Sequence, residues 1–169
     1  MSTVTKPIEN AVSGYFPPGE ERPLTAYAGL SSTFLLAMAG ATAALRAGGR
    51  RLPERPTAYD VVLTGIATHK ITRLLAKDKV TSFARAPFTR FQENAGHGEV
   101  EEAPRGEGMR YAIGELLVCP YCLAQWVSGA MAIGLVAAPR QTRFVGAVYT
   151  AMTMSDFLQL AYKAAEDRA

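Results

Sequence analysis

Uncharged apolar runs alternate with polar stretches along the 169-residue chain. Residues 24–45 contain no charged side chain and lie between Arg22 and Arg46. At 1.5 Å per residue, a helix of this length extends about 33 Å, which is enough to cross the hydrocarbon core of a bilayer. The pattern predicts a first membrane helix over 24–45. Its seven alanines leave a buried helix in a soluble bundle as the alternative.

Residues 58–76 follow a turn-rich connector and show apolar positions at helical spacing, with Thr57 or Asp60 as the cap. This segment contains three cationic or titratable side chains within five consecutive positions, His69, Lys70 and Arg73. Because cationic side chains are costly at bilayer depth, we expect an amphipathic helix that lies in the interface or is half-inserted.

The strongest apolar run covers residues 112–138, where Glu115 is the one charged residue and Pro120 interrupts the run. Since proline is favoured at the first helical position, we expect a helix to begin at Pro120. A further apolar run covers 144–162, and the connector 139–142 makes a helical hairpin within 112–162. The predicted fold class is all-α, an integral membrane protein with three spanning helices plus the amphipathic or half-inserted helix.

The segment 77–92 interleaves cations with aromatic residues, as is typical of a segment at an anionic membrane surface. We expect anionic lipid headgroups to contact Lys77, Lys79, Phe83, Arg85, Phe88, Arg90 and Phe91. The next residues, 93–108, carry a net charge of −4 among several glycines, which indicates an acidic loop. Residues 1–23, with four prolines, are expected to form a flexible polar tail.

Charge and cysteine content narrow the classes of protein. Eighteen Lys and Arg against 15 Asp and Glu give +3, too small a surplus to indicate a nucleic acid partner. Two cysteines exclude a disulfide-rich scaffold. With three spans and the N-terminus outside, 14 Lys and Arg lie inside against four outside. This asymmetry predicts a multi-pass membrane protein with a cytoplasmic C-terminus.

Four sequence blocks resemble an uncharacterised family of small bacterial membrane proteins, some of whose relatives are labelled sporulation proteins. They are THKITRLLAKDKVTSFARAPFTRF from Thr68, EVEEAPRGEG from Glu99, ELLVCPYCLAQW from Glu115 and SDFLQLAY from Ser155. The resemblance covers about residues 60–162. It implies a helical protein of the bacterial cell membrane and no established activity.

Cys119-Pro120-Tyr121-Cys122 is the sharpest local motif. Two thiols at a helix N-terminus can close a disulfide, and the helix dipole favours a thiolate there. The same letters occur in glutaredoxin-like oxidoreductases, but the βαβ context that would confirm the match is missing. The alternative is structural, with both cysteines as small packing residues. A zinc site would need His97 and Glu99 as further ligands, which the spacing does not favour, so we expect no metal and no cofactor.

A polar cluster is expected inside the helices. Carboxylates in lipid generally need partners, so we expect Glu115 and Asp156 to pair with His69, Lys70 and Arg73. Such a cluster can act as a polar relay, or as the salt bridges that dock the second helix on the hairpin. Docking is the favoured interpretation. Transport does not follow from such a cluster, because three spans are few for a monomeric transporter and no inverted repeat is visible.

These features favour a membrane scaffold or interaction module over an enzyme. It would present the basic-aromatic surface and the acidic loop to the cytoplasm. Its expected partners are membrane lipid with anionic headgroups, a partner membrane protein or a second copy of the chain as a homo-oligomer, and no nucleic acid. The competing hypothesis is a membrane-bound thiol-disulfide oxidoreductase or redox sensor that uses Cys119 and Cys122.

Overall fold

The chain is mostly helical, with six α-helices and one two-stranded sheet in the part described by the computed structural model, residues 14–17, 19 and 22–168. The predicted polar tail lies outside these residues except for the few positions just given. The elements in chain order are α1 Leu24–Ala47, α2 Ala58–Ala76, a 3-10 turn Lys79–Thr81, α3 Ser82–Arg85, β1 Thr89–Gly96, β2 Glu99–Pro104, α4 Gly108–Val118, α5 Pro120–Ala137 and α6 Pro139–Glu166.

The described residues form two compact units. The head unit contains the described residues up to 37 together with residues 77–119, and so includes the hairpin and α4. The helical unit contains residues 38–76 and 120–168, with α2, α5 and α6. Helix α1 contributes its first part to the head unit and its last part to the helical unit.

A β-hairpin replaces the predicted acidic loop over 93–108, so the all-α fold class is wrong for this part of the chain. Strands β1 and β2 pair antiparallel, with Gly96 opposite Glu99. His97 and Gly98 between them both have positive φ, at 49° and 80°. Two positive φ values match the turn whose twist suits a two-residue hairpin, and Val100 anchors β2 at 2% exposure. Gly98, one of the glycines that suggested a loop, instead lies in this turn.

The helical unit agrees with the sequence at two boundaries and departs from it at a third. Helix α2 has the predicted bounds, and α5 begins at Pro120. The predicted connector 139–142 is instead the first turn of α6, since Pro139 takes the first helical position and Ala138 alone links α5 to α6. A Cβ on Gly134 would lie 2.7 Å from Thr142 Oγ1, so the glycine permits this tight link.

Helix α2 packs along both α5 and α6. Asp60 pairs with Arg143, Leu63 lies against Gly146, and Lys70 pairs with Asp156. These contacts occur in the same order along both helices, so α2 and α6 run in the same direction. Helix α5 runs opposite to them, because it precedes α6 through a one-residue link. The second helix, α2, therefore lies lengthwise along the helical hairpin that α5 and α6 form.

Two helices, α1 and α5, are long and apolar enough to cross a membrane by length and composition. None of the apolar stretch of α1 is buried, and 17% of that of α5 is. Large apolar side chains are exposed on α1 and also on α6, for example Leu36 at 73% and Phe144 at 71%. Composition does not support the third predicted span, 144–162, because Asp156 and several hydroxyl and amide side chains dilute it.

Candidate functional site

The head unit is organised around Arg85, whose side chain is 1% exposed. Arg85 ends α3, and its Nε and Nη2 donate to Glu102 Oε2 and Oε1 at 2.9 and 3.0 Å. Nη1 donates to Thr81 Oγ1 at 2.7 Å, and Nη2 also reaches the Asp78 carbonyl at 3.0 Å. Thr89 Oγ1 donates to Glu102 Oε2 at 2.7 Å. A buried two-pronged ion pair thus ties α3 to β2.

Arg85 was expected at the membrane surface, and this expectation is wrong. The Glu102 carboxylate is itself only 4% exposed, so the guanidinium is satisfied inside the head unit. Glu101 similarly accepts from Lys77 Nζ at 2.7 Å. Two carboxylates of the predicted acidic loop therefore neutralise two cations of the predicted basic-aromatic surface. The head unit therefore exposes less uncompensated positive and negative charge than the sequence suggests.

A smaller exposed surface remains, which we call the aromatic surface: Lys79, Val80, Phe83, Arg90 and Phe91. Phe83 is 80% exposed and Phe91 61% exposed. The two rings line one shallow groove of about 310 Å³ with Ala86 and Thr89. Phe88 is only partly exposed. Its backbone lies close to α4, where a Cβ on Gly114 would approach Phe88 O to 2.5 Å.

The predicted polar cluster is divided between two separate pairings. Lys70 Nζ donates to Asp156 Oδ2 at 2.6 Å in the helical unit. Glu115, in the head unit, accepts from Arg22 Nη1 at 2.5 Å and from the Tyr27 hydroxyl. The Glu115 carboxylate raises the pKa of Arg22. His69 and Arg73 are both exposed.

An ion pair that sequence reasoning missed joins Asp60 to Arg143. The guanidinium donates from Nε and Nη2 to the two carboxylate oxygens at 2.8 and 2.9 Å. Thr57 Oγ1 accepts from the Asp60 N–H, which caps the start of α2, and its hydroxyl donates to the Asp60 carboxylate. The Arg143 hydrogen bonds hold the pKa of Asp60 below its ordinary value, and Asp60 raises that of Arg143. The cap was readable in the sequence, but the distant arginine was not.

Cys119 and Cys122 are present as thiols rather than as a disulfide. Cys119 follows α4 and is partly exposed, and Cys122 lies in the first turn of α5 and is exposed. Helices flank the motif on both sides, unlike the βαβ setting of glutaredoxin-like enzymes. Redox use of this pair stays a prediction.

No group of three or more His, Cys, Asp or Glu side chains is placed to hold a metal ion within the described part of the chain. Histidine, cysteine and carboxylate are the ligands that zinc requires, usually four of them in a structural site.

Comparisons with known proteins point to a family and not to an activity. Residues 63–162 match a family described as "Protein of unknown function (DUF1360)". The chain is 28% identical over 88 residues to "Sporulation protein YjcA" of Bacillus subtilis (strain 168), which covers 50% of this chain and 75% of that protein. It is 28% identical over 90 residues to "UPF0713 protein YngL" of the same organism, covering 52% of this chain and 65% of the relative.

No solved structure matches the chain. The family match spans both the hairpin of the head unit and the three packed helices of the helical unit. As more than half of the chain is matched, it belongs to the DUF1360 family.

Proposed function

We propose that this protein is a small membrane scaffold whose helices lie in the bilayer and whose head unit docks on the anionic membrane surface. The bilayer segments would be residues 24–45, 61–76, 121–137 and 144–162. Asp60 and Arg143 then lie at the polar end of the helical unit, outside these segments. The proposal changes the predicted topology in two respects: α2 enters the bilayer beside α5 and α6, and the N-terminus lies on the cytoplasmic face.

The observation that carries this proposal is the exposure of large apolar side chains along α1 and α6. Examples are Leu35, Leu36, Phe144, Val148, Phe157 and Leu158. Removing one such side chain from water gains about 1.5–3 kcal/mol. A water-soluble domain buries these groups in its core, whereas lipid solvates them without further protein contacts. The apolar faces therefore favour lipid as the surroundings of the helices.

The direction of the helices supports a particular arrangement of their ends. Asp60 at the start of α2 pairs with Arg143 at the start of α6, and α2 and α6 run the same way. The connector 48–57 and the link at Ala138 therefore lie at one end of the helical unit. The chain leaves this unit at Ala76 and re-enters it at Pro120, at the opposite end. If the helices cross a bilayer, these two ends lie on opposite faces.

The start of α1 belongs with the head unit, because Arg22 and Tyr27 contact Glu115 of α4. The predicted topology, which separates the N-terminus from residues 77–110, is incompatible with this contact. We propose instead that both termini and the head unit share the cytoplasmic face. Ten basic residues then lie inside against six outside, in the direction of the positive-inside rule. The ten are Lys6, Arg22, Lys77, Lys79, Arg85, Arg90, Arg105, Arg110, Lys163 and Arg168.

The aromatic surface supports docking of the head unit. Phe83 and Phe91 are exposed on one groove, with Lys79 and Arg90 exposed as well. Aromatic rings favour the headgroup region of a bilayer, and each cation near an anionic surface adds about 1 kcal/mol. Both features suit a surface of anionic phospholipid.

Alkaline extraction of membranes from cells that express the full chain tests the proposal. We expect the protein to remain in the membrane pellet and to need detergent for solution. A monodisperse protein in detergent-free buffer, released from vesicles at alkaline pH, would overturn the proposal.

Docking of the head unit has its own test, a Phe83→Trp, Trp126→Phe variant in vesicles with brominated lipid. We expect quenching of the tryptophan in vesicles that contain phosphatidylglycerol. Adding Lys79→Glu and Arg90→Glu should reduce the quenching. Glu93→Gln, on the same strand as Arg90, is the control and should not reduce it. Equal fluorescence with and without brominated lipid would rule out docking.

A further inference from the structure

Three arginines surround a concave site at the end of α1 that none of the features above uses. Arg46, Arg50 and Arg51 line a cleft of about 500 Å³ together with Gly49 and Leu52. All three arginines are exposed. The cleft lies within the helical unit, directly after the uncharged stretch 24–45.

The backbone at the end of α1 forms this cleft. The Arg50 N–H donates to the Leu45 carbonyl at 2.9 Å, and the Gly49 N–H donates to the Arg46 carbonyl at 3.0 Å. This pair of bonds is a Schellman motif, which requires positive φ at the residue after the cap. Gly49 supplies it, with φ of 73°. The motif turns the chain back at the helix end, so that Arg50 and Arg51 line the same cleft as Arg46.

Among the residues that the structure describes, no carboxylate lines this cleft. Every ion pair found in the described part of the chain involves other residues, and the nearest acidic residue in sequence, Glu54, does not line the cleft. Three guanidinium groups around one concavity repel each other unless an anion joins them. Guanidinium groups bind phosphate through paired hydrogen bonds.

From these observations we propose that Arg46, Arg50 and Arg51 bind the phosphate of an anionic phospholipid headgroup. We assign the phosphate to a lipid because the cleft begins where the uncharged stretch 24–45 ends. If α1 crosses the bilayer, lipid headgroups lie at this depth. This inference rests on the proposed function. It adds a defined lipid site at the end of the helical unit opposite to Ala76 and Pro120.

Native mass spectrometry of the full chain in detergent tests the site with short-chain phosphatidylglycerol as the probe. We expect one bound phosphatidylglycerol and weaker binding of phosphatidylcholine. Each of Arg46→Gln, Arg50→Gln and Arg51→Gln should weaken binding about tenfold, because each removes one charge-assisted contact. The triple variant should show no bound lipid. Arg55→Gln, in the same connector but outside the cleft, is the matched control.

A Gly49→Val variant separates a shaped site from diffuse charge, since it keeps every arginine and disfavours the positive φ. We expect it to lose selectivity for phosphatidylglycerol, while Gly48→Ala retains it. Circular dichroism shows whether each variant keeps its helices.

Any one of three results would overturn the inference. The first is a loss of binding in Arg55→Gln equal to that in the variants of the cleft arginines. The second is unchanged selectivity in Gly49→Val with unchanged helicity, and the third is occupancy by inorganic phosphate equal to that by phosphatidylglycerol at the same concentration. The last result would assign the cleft to free phosphate. These outcomes are independent of alkaline extraction, because short-chain lipid reaches the cleft in detergent whether or not the protein crosses a bilayer.

Discussion

Arg85 and Thr68 both have buried polar side-chain atoms, but they differ in hydrogen bonding. The Arg85 guanidinium is enclosed by Glu102, Thr81 and a backbone carbonyl, so its charge is fully compensated. Thr68, in α2, has a buried hydroxyl with no hydrogen-bond partner among the described residues. Burial of an unsatisfied hydroxyl costs free energy, whereas a buried ion pair becomes costly when one partner is removed. The two sites therefore respond to substitution in opposite ways.

Thr68→Val is expected to raise the free energy of unfolding by up to about 1–2 kcal/mol, since a methyl group of similar size replaces the unsatisfied hydroxyl. Thr72→Val is the matched control, because Thr72 is also buried on α2 but its hydroxyl donates to the His69 carbonyl at 2.9 Å. The control should lower stability. Thermal unfolding in detergent measures both, and a loss of stability in Thr68→Val would contradict the structure.

Glu102→Gln is expected to destabilise the head unit by about 3–5 kcal/mol, because it leaves the Arg85 charge buried without a counter-charge. Glu101→Gln changes the neighbouring carboxylate, whose partner Lys77 lies in a pair that is partly exposed. That variant should cost no more than about 1 kcal/mol. Denaturant unfolding compares them, and similar losses for the two variants would show that the Arg85 pair is not buried.

Local patterns in the sequence predicted the helices, but they predicted a loop where the structure has the β-hairpin. Pro120 and the helical periodicity of 58–76 are local features, and α5 and α2 follow them. The glycines near His97 are equally compatible with a loop and with a tight turn, and only the pairing of β1 with β2 decides between them. The partners of Glu102 and Asp60 are 17 and 83 residues away, so no local pattern identifies them.

The Asp60–Arg143 pair predicts an acid-sensitive helical unit. Because Arg143 depresses the folded-state pKa of Asp60 below its ordinary value of 3.8, the pair stabilises fully above that value. Its contribution is lost as the pH falls through the folded-state pKa. Melting temperatures between pH 2 and 6 should fall less steeply in Asp60→Asn and in Arg143→Met than in the unmodified chain. Identical acid limbs in all three proteins would exclude this role.

The proposed topology requires the two ends of the helical unit to lie on opposite faces of a membrane. The sequence indicated membrane helices through the uncharged runs, but it did not show that α2 lies lengthwise beside α6. That arrangement follows from contacts between residues far apart in the chain. It places Lys70 beside Asp156, where a cation inside the bilayer has the counter-charge it needs.

The most direct test is sided labelling of single cysteines with a membrane-impermeant maleimide, in intact bacterial cells that express a Cys119→Ser, Cys122→Ser background. Cysteines are introduced singly as Arg55→Cys in the connector, Asn94→Cys in the hairpin and Asp167→Cys near the C-terminus. We predict that the Arg55 position is labelled in intact cells and that the other two are labelled only after permeabilisation. Labelling of the Arg55 and Asn94 positions from the same side would contradict the account.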